Sequence, residues 1–367
     1  FRSGVDGTLG YPTSGETNTF YRDGTTQNFE KGTIYWNDTT GSRIVKNAIK
    51  NRYVDLGAER SYLKYPTSNE MSLRNGGFYQ KFQGGNIYWS SATGAHPTSN
   101  SVHGAWSRVG YENGDLGYPT SSLLTFKYDK AAQYQNFQGG MIIVGKPGSY
   151  HVKGAILSQW KSLGWERSAA GLPTSDPRPL ANGGMYQKFQ GGSIHWSPKS
   201  GAFFTKNGSP IQRAWGNQKY ENGALGYPTS NERTLKGGTS QSFQGGQVHW
   251  SSKTGAHITK GAIQRTWGNS GWENGKLGYP TSDERGLKNG GAYQKFQGGS
   301  IHWSSKSGAH ITTGAIQKAW GKQGYENGRL GYPTSNEYQS GGKTWQNYQG
   351  GKISWTSREG ARVQYSK

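Results

Sequence analysis

The chain has 367 residues, 59 of them glycine, a mean hydropathy of -0.88 and no cysteine. Those values would suit a disordered chain, but 14 Trp, 23 Tyr and 12 Phe predict a folded protein whose core is built from rings. The absence of cysteine excludes disulfides, thiolate metal sites and a cysteine nucleophile, and the net charge of +21 favours a polyanionic neighbour.

From the start, the chain opens at Phe1 with neither a methionine nor a signal segment, so a leader or upstream domain is expected to have been removed. The phrase "LGYPTSGE" begins at Leu9 and returns in variants from Leu63, Leu116, Gly171, Leu225, Leu277 and Leu330. Its prolines, Pro12, Pro66, Pro119, Pro173, Pro228, Pro280 and Pro333, are spaced 52 to 55 residues apart. A second phrase keeps the same beat: "FEKG" at Phe29, "FQGG" at Phe82, Phe137, Phe189, Phe243 and Phe296, and "YQGG" at Tyr348. Seven copies, approximately 1–62, 63–115, 116–170, 171–224, 225–276, 277–329 and 330–367, therefore make one repeat domain over 1–367. The longest aliphatic run, Met141 to Val144, is far short of the ~20 residues of a membrane helix, so no span is expected.

The copy from Leu277 to Arg329 predicts three elements in order. "YPTS" is a turn set by Pro280, and "GGAYQKFQGGSIHWSSKSGA" is a β-hairpin turning at Gly298-Gly299, a pair able to take positive φ. Ile301 and Trp303 share one strand face while His302 points the other way, and "TTGAIQKAWGKQG" from Thr312 is a short helix with Ile316 and Trp320 four apart. Such units must stack to bury their tryptophans. The fold class is thus a β-rich (α+β) repeat protein with short helices. Because the last copy keeps Trp345, Tyr348, Ile353 and Trp355 where a capping repeat would turn polar, we expect a closed or nearly closed propeller-like ring. Seven hairpins are served by only six "GAI…W" helices, which leaves a seam near Phe1 or a helix supplied from upstream.

"LGYPTS" at these intervals, with "FQGG" and "IHW" or "IYW" between, resembles the LGFP repeat family over all seven copies. The resemblance implies an exported, cell-wall-associated module, with arabinogalactan or peptidoglycan as partner, and carries no catalytic residue to transfer. Copy four departs from the pattern with "GLPTS" at Gly171, and copy three with "IIVG" at Ile142 and the linker "LLTFKYDKAA" from Leu123.

Two sets of positions are candidates for glycan contact. One is the strand position between Ile and Trp, read as facing away from the core: Tyr88, His195, His249 and His302, with Tyr35, Ser354 and Ile143 in the other copies. The other is the segment after each helix, where an aromatic precedes a carboxylate: Tyr111 and Glu112, Trp165 and Glu166, Tyr220 and Glu221, Trp272 and Glu273, Tyr325 and Glu326. A ring packs on sugar C–H faces while polar groups take hydroxyls. The bland alternatives are a solvated strand face or a neighbour-packing contact for the first set and an Asn-Gly turn for the second. No metal ligand set, cofactor motif or catalytic constellation stands out, and basic residues are too scattered for a nucleic-acid stripe.

The reading is a secreted, non-catalytic, multivalent binder of cell-wall glycan and anionic envelope polymers, expected to be a monomer. The alternatives are a carbohydrate-active or wall-hydrolysing enzyme with its site at the ring centre or in the irregular third and fourth copies (Lys127, Asp129, His151 and Asp176), and a scaffold for protein partners.

Overall fold

The computed structural model describes residues 7–287 and 290–367, in two compact units: Phe1–Arg178 with Tyr186–Gly191, and Pro179–Met185 with Gly192–Lys367. The expected start of the first repeat at residue 1, and any helix ahead of it, lie outside the described residues. Seven four-stranded sheets follow one another, each a meander with its strands in chain order. Six α-helices stand among the described residues: α1 (Asn47–Asp55), α2 (Asn100–Ser107), α3 (Gly154–Leu163), α4 (Pro210–Asn217), α5 (Gly261–Asn269) and α6 (Gly314–Lys322).

The sixth repeat shows how the sequence builds a unit. Its strands are Arg285–Gly286, Ala292–Phe296, Gly299–Ser304 and Gly308–Thr312, so the expected hairpin is extended by a short strand before it and a full one after it. Phe296 pairs with Gly299, which makes the loop Gln297-Gly298, one place earlier than expected, and neither Gly298 nor Gly299 takes positive φ. Gly298 is needed for space instead: a Cβ there would lie 2.0 Å from the Lys276 carbonyl oxygen. Positive φ is used at Gly278, before Tyr-Pro, where φ is +63°.

The two recurring phrases are halves of one joint. Gln297 Oε1 accepts a hydrogen bond from Tyr279 N at 2.9 Å, Pro280 bridges to Phe296, and Thr281 N donates to the Lys295 carbonyl at 2.8 Å. The preceding helix is tied to the same joint, because Trp267 of α5 donates its Nε1 hydrogen to the Gly278 carbonyl at 3.1 Å. Trp267 is fully buried with Ile263, Leu277, Phe296 and Ile301, and Trp106, Trp160, Trp215 and Trp320 are buried alike on their own helices. The ring-built core is therefore formed by the helix tryptophans. The strand tryptophans are its rim: Trp303 is half-buried, and Trp36 and Trp355 are exposed.

Polar staples join each repeat to the one before. Buried Gln294 donates Nε2 hydrogens to the carbonyls of Ser282 at 2.7 Å and Ile258 at 2.9 Å, while Asp283 Oδ1 accepts from Ile258 N at 2.8 Å. Glu284 reaches back to Lys260 at 3.6 Å, and Glu337 accepts from Thr313 Oγ1 at 2.8 Å, so these glutamates hold neighbouring repeats together.

Candidate functional site

Each helix except α1 is followed by a single 3-10 turn that opens on an aromatic residue: Tyr111, Trp165, Tyr220, Trp272 or Tyr325. All five hold φ between +52° and +59°. A bulky residue in the left-handed region is strained, and such strain gathers where geometry serves a ligand. The strain aims each ring back over its helix, edge-on to the buried tryptophan, as in Trp320–Tyr325 at 5.2 Å and Trp267–Trp272 at 5.1 Å. One face stays open: Tyr220 and Tyr325 are each 45% exposed and Trp272 is 38% exposed.

The carboxylate beside the ring is held in place. Asn327 Nδ2 donates to Glu326 Oε1 at 3.0 Å, and the same bond joins Asn113 to Glu112, Asn222 to Glu221 and Asn274 to Glu273. These segments therefore present a half-open ring and a fixed, half-exposed acceptor side by side.

The strand candidates sit differently from expectation. Tyr88, His195, His249 and His302 are buried, with His302 only 5% exposed, so the face opposite Ile301 is a second packed face and not a solvated one. The covering group is the helix tryptophan that follows: His302 meets Trp320 edge-on at 4.7 Å, His249 meets Trp267 at 4.6 Å, His195 meets Trp215 at 4.8 Å and Tyr88 meets Trp106 at 4.6 Å. Burial pushes the imidazoles of His302 and His195 down to about 4 and, with Arg233 nearby, that of His249 to about 3, so all three are neutral at neutral pH.

The two candidate sets nevertheless meet. In the sixth repeat Tyr325 and Glu326 stand at the mouth of a cleft of about 260 Å³ whose floor includes His302 and whose walls include Leu287, Tyr293 and Gln317. Tyr293 stacks on His302 at 5.5 Å with the planes 9° apart. In the third repeat Trp165 and Glu166 line the equivalent, larger cleft of about 700 Å³ with Phe126, Tyr128 and Tyr134. Of this linker, Lys127 and Asp129 were named only for the enzymatic alternative, and Phe126 and Tyr128 were missed as site residues because the linker read as an irregularity; the aromatic pattern of "TFKYD" was the available signal.

A family model for the LGFP repeat matches residues 9–61, 63–114, 116–168, 171–223, 225–275, 277–328 and 330–366. The chain belongs to the LGFP repeat family. Its seven LGFP repeats coincide with the seven sheets, and five of the matched spans end just after an aromatic turn. No curated protein matches the LGFP chain. Solved structures resemble it at low identity: the extracellular domain of BT3049 from B. thetaiotaomicron (12% identity, 95% of this chain, 39% of that chain, TM-score 0.15) and PorZ of Porphyromonas gingivalis (7%, 97%, 38%, 0.15). The LGFP chain thus spans about two fifths of their length.

The irregular LGFP repeats bring together only part of the expected polar set. His151 Nδ1 lies 2.9 Å from Asp176 Oδ1, and Arg108 Nε lies 2.8 Å from Asp176 Oδ2. Burial opposes ionisation of Asp176, but His151 and Arg108 hold its carboxyl well below the usual carboxylate range. Asp129 is apart from this cluster and accepts from Ala131 N at 3.0 Å within its own turn, and Lys127 lies in the third-repeat cleft.

Proposed function

We propose that this chain is a non-catalytic, multivalent module of an exported, cell-wall-associated protein, retained by a wall polysaccharide of the arabinogalactan or peptidoglycan type. The observation that carries the reading is the half-open ring beside a carboxylate at the same place in five of the repeats, with the carboxylate fixed by an asparagine in four of them. Partial exposure of those rings favours a ligand over a purely structural role between repeats. Weak sites on one body multiply through effective concentration, so sugar affinities in the ~mM range suffice for retention on a polymer. The charge of +21 adds a salt-sensitive attraction to anionic envelope polymers. Asp176 has both carboxylate oxygens engaged, which supports the non-catalytic reading. The closed or nearly closed propeller-like ring and the monomeric state belong to the same proposal.

The test is co-sedimentation of the chain with insoluble wall fractions that contain or lack arabinogalactan, at low salt and at ~1 M, where charges beyond about 3 Å are screened. Retention that needs the polysaccharide and survives salt is expected, and the triple variant Tyr220→Ala, Trp272→Ala, Tyr325→Ala should lose most of it. Retention that disappears in salt, or a triple variant retained like the parent, sinks the reading.

A further inference from the structure

The third-repeat cleft departs from its counterparts in three ways that share one direction. Its floor and walls are aromatic and apolar: Trp165, Tyr128, Tyr134, Phe126 and Met141. Its rim carries Lys127, Lys161 and Arg167 against the single carboxylate of Glu166. In the second, fourth, fifth and sixth repeats the place of Arg167 is an asparagine, Asn113, Asn222, Asn274 or Asn327. The place of Lys161 is a glycine in three of those repeats. A Cβ at Gly216, Gly268 or Gly321 would lie 2.9, 2.6 or 2.7 Å from the ring of the turn aromatic, so the third repeat places a lysine where those three leave the space to the ring.

The cations are placed rather than spent. Arg167 stacks its guanidinium 4.2 Å from the Tyr128 ring centroid and Lys127 brings Nζ to 5.1 Å of the same ring, which is 58% exposed. None of Lys127, Lys161 and Arg167 takes part in an ion pair among the described residues. At about 700 Å³ the cleft falls within the ordinary range of small-ligand sites, roughly 300–1,000 Å³, where an apolar wall is joined by a few charged groups.

We propose that the third repeat holds a specialised site for an acidic saccharide, whose ring packs on Trp165 and Tyr128 while its carboxylate or phosphate is met by Arg167, Lys161 and Lys127. The proposal rests on the glycan-binding reading above but gives this one repeat a different ligand from the rest. Arg167 supplies a planar pair of donors that suits a carboxylate or phosphate, and the lysines act as point charges.

The experiment is titration of the full chain with trigalacturonate, neutral galactotriose, glucose 6-phosphate and inorganic phosphate by calorimetry. Trigalacturonate or glucose 6-phosphate, whichever anionic group the site prefers, should bind at least about tenfold more tightly than galactotriose, and the double variant Lys161→Ala, Arg167→Ala should abolish that margin. Trp165→Ala should weaken the acidic sugar and leave inorganic phosphate unchanged. Lys130→Ala removes one positive charge from an exposed lysine outside the cleft and should change nothing. Equal binding of galactotriose, equal loss in Lys130→Ala, or no binding of either acidic sugar overturns the proposal. Failure of the parent reading is separate: it would appear as lost retention on neutral wall glycan, whatever the titration gives.

Discussion

The third and sixth repeats share one scaffold and differ in what they place on it. Both carry a buried helix tryptophan, Trp160 or Trp320, that donates to the carbonyl of the next repeat's turn glycine, at 2.9 and 3.1 Å. Both set an aromatic residue at positive φ against that tryptophan. Yet the sixth repeat closes down to a cleft of about 260 Å³ with a fixed carboxylate, while the third opens to about 700 Å³ with a basic rim. The lesson is that the same joint between repeats forms with small changes of side chain, Leu172 for Tyr332 and Phe189 for Tyr348, whereas the linker and the residues flanking the turn differ more widely.

That contrast is sharpened first where the effect is largest. Trp160→Ala and Trp320→Ala should each cost about 3–5 kcal/mol, and the two costs should agree within the scatter of such substitutions, since both open a cavity in the same joint. Chemical denaturation followed by far-UV circular dichroism measures both; a much smaller loss in the third repeat would mean that its irregular linker had already loosened the core.

Next comes pH. His249 and His302 have folded-state values near 3 and 4, below the unfolded value of about 6.5, so the stability they confer is complete above about 6.5 and declines as pH falls toward 4. The slope approaches ~1.4 kcal/mol per pH unit for each histidine. His257 works in the opposite sense, because its bond to Asp283 raises its pKa and its contribution is present at low pH and lost as pH rises. Melting curves between pH 7 and 4.5 should flatten in the variant His249→Tyr, His302→Tyr, which installs the residue found there in the first two repeats. The third repeat, with Ile143 at that place, contributes no such slope.

Smaller again is the staple. Gln294→Ala and its counterpart Gln135→Ala should each cost about 1–3 kcal/mol, as buried carbonyls of two repeats lose their donor. Hydrogen exchange should rise first at the paired strands, Gly255–Thr259 and Gly94–Ser99. The smallest stability change, about 1 kcal/mol or less, belongs to Tyr325→Ala and Trp165→Ala, which remove half-open rings. Binding should separate them: Tyr325→Ala should reduce retention on neutral wall glycan, and Trp165→Ala affinity for an acidic saccharide. Identical profiles would erase the distinction between the two clefts.

Several elements were legible in the sequence because they depend on neighbours along the chain. Pro280 and the glycines punctuate the turn, alternation in "SIHW" separates Ile301 from His302, and the spacing of Ile316 and Trp320 gives α6 one apolar face. The seven-fold beat gave the repeat count directly. What alternation cannot say is what covers the second face of a strand. His302 was read as outward because polar residues usually face water, but Trp320 folds over it and makes that face a second core.

The sequence by itself thus determined the number of repeats, the order of turn, hairpin and helix, and the aromatic character of the core, because each follows from local propensity and periodicity. Only the tertiary structure decided the rest. Glycine at 298 leaves room for the Lys276 carbonyl, which a Cβ would meet at 2.0 Å, and does not serve a turn angle, Gln294 reaches a carbonyl thirty-six residues away, and Tyr325 shares its cleft with the buried His302. Those outcomes depend on atoms brought together across repeat boundaries, where distance along the chain carries no information about distance in space.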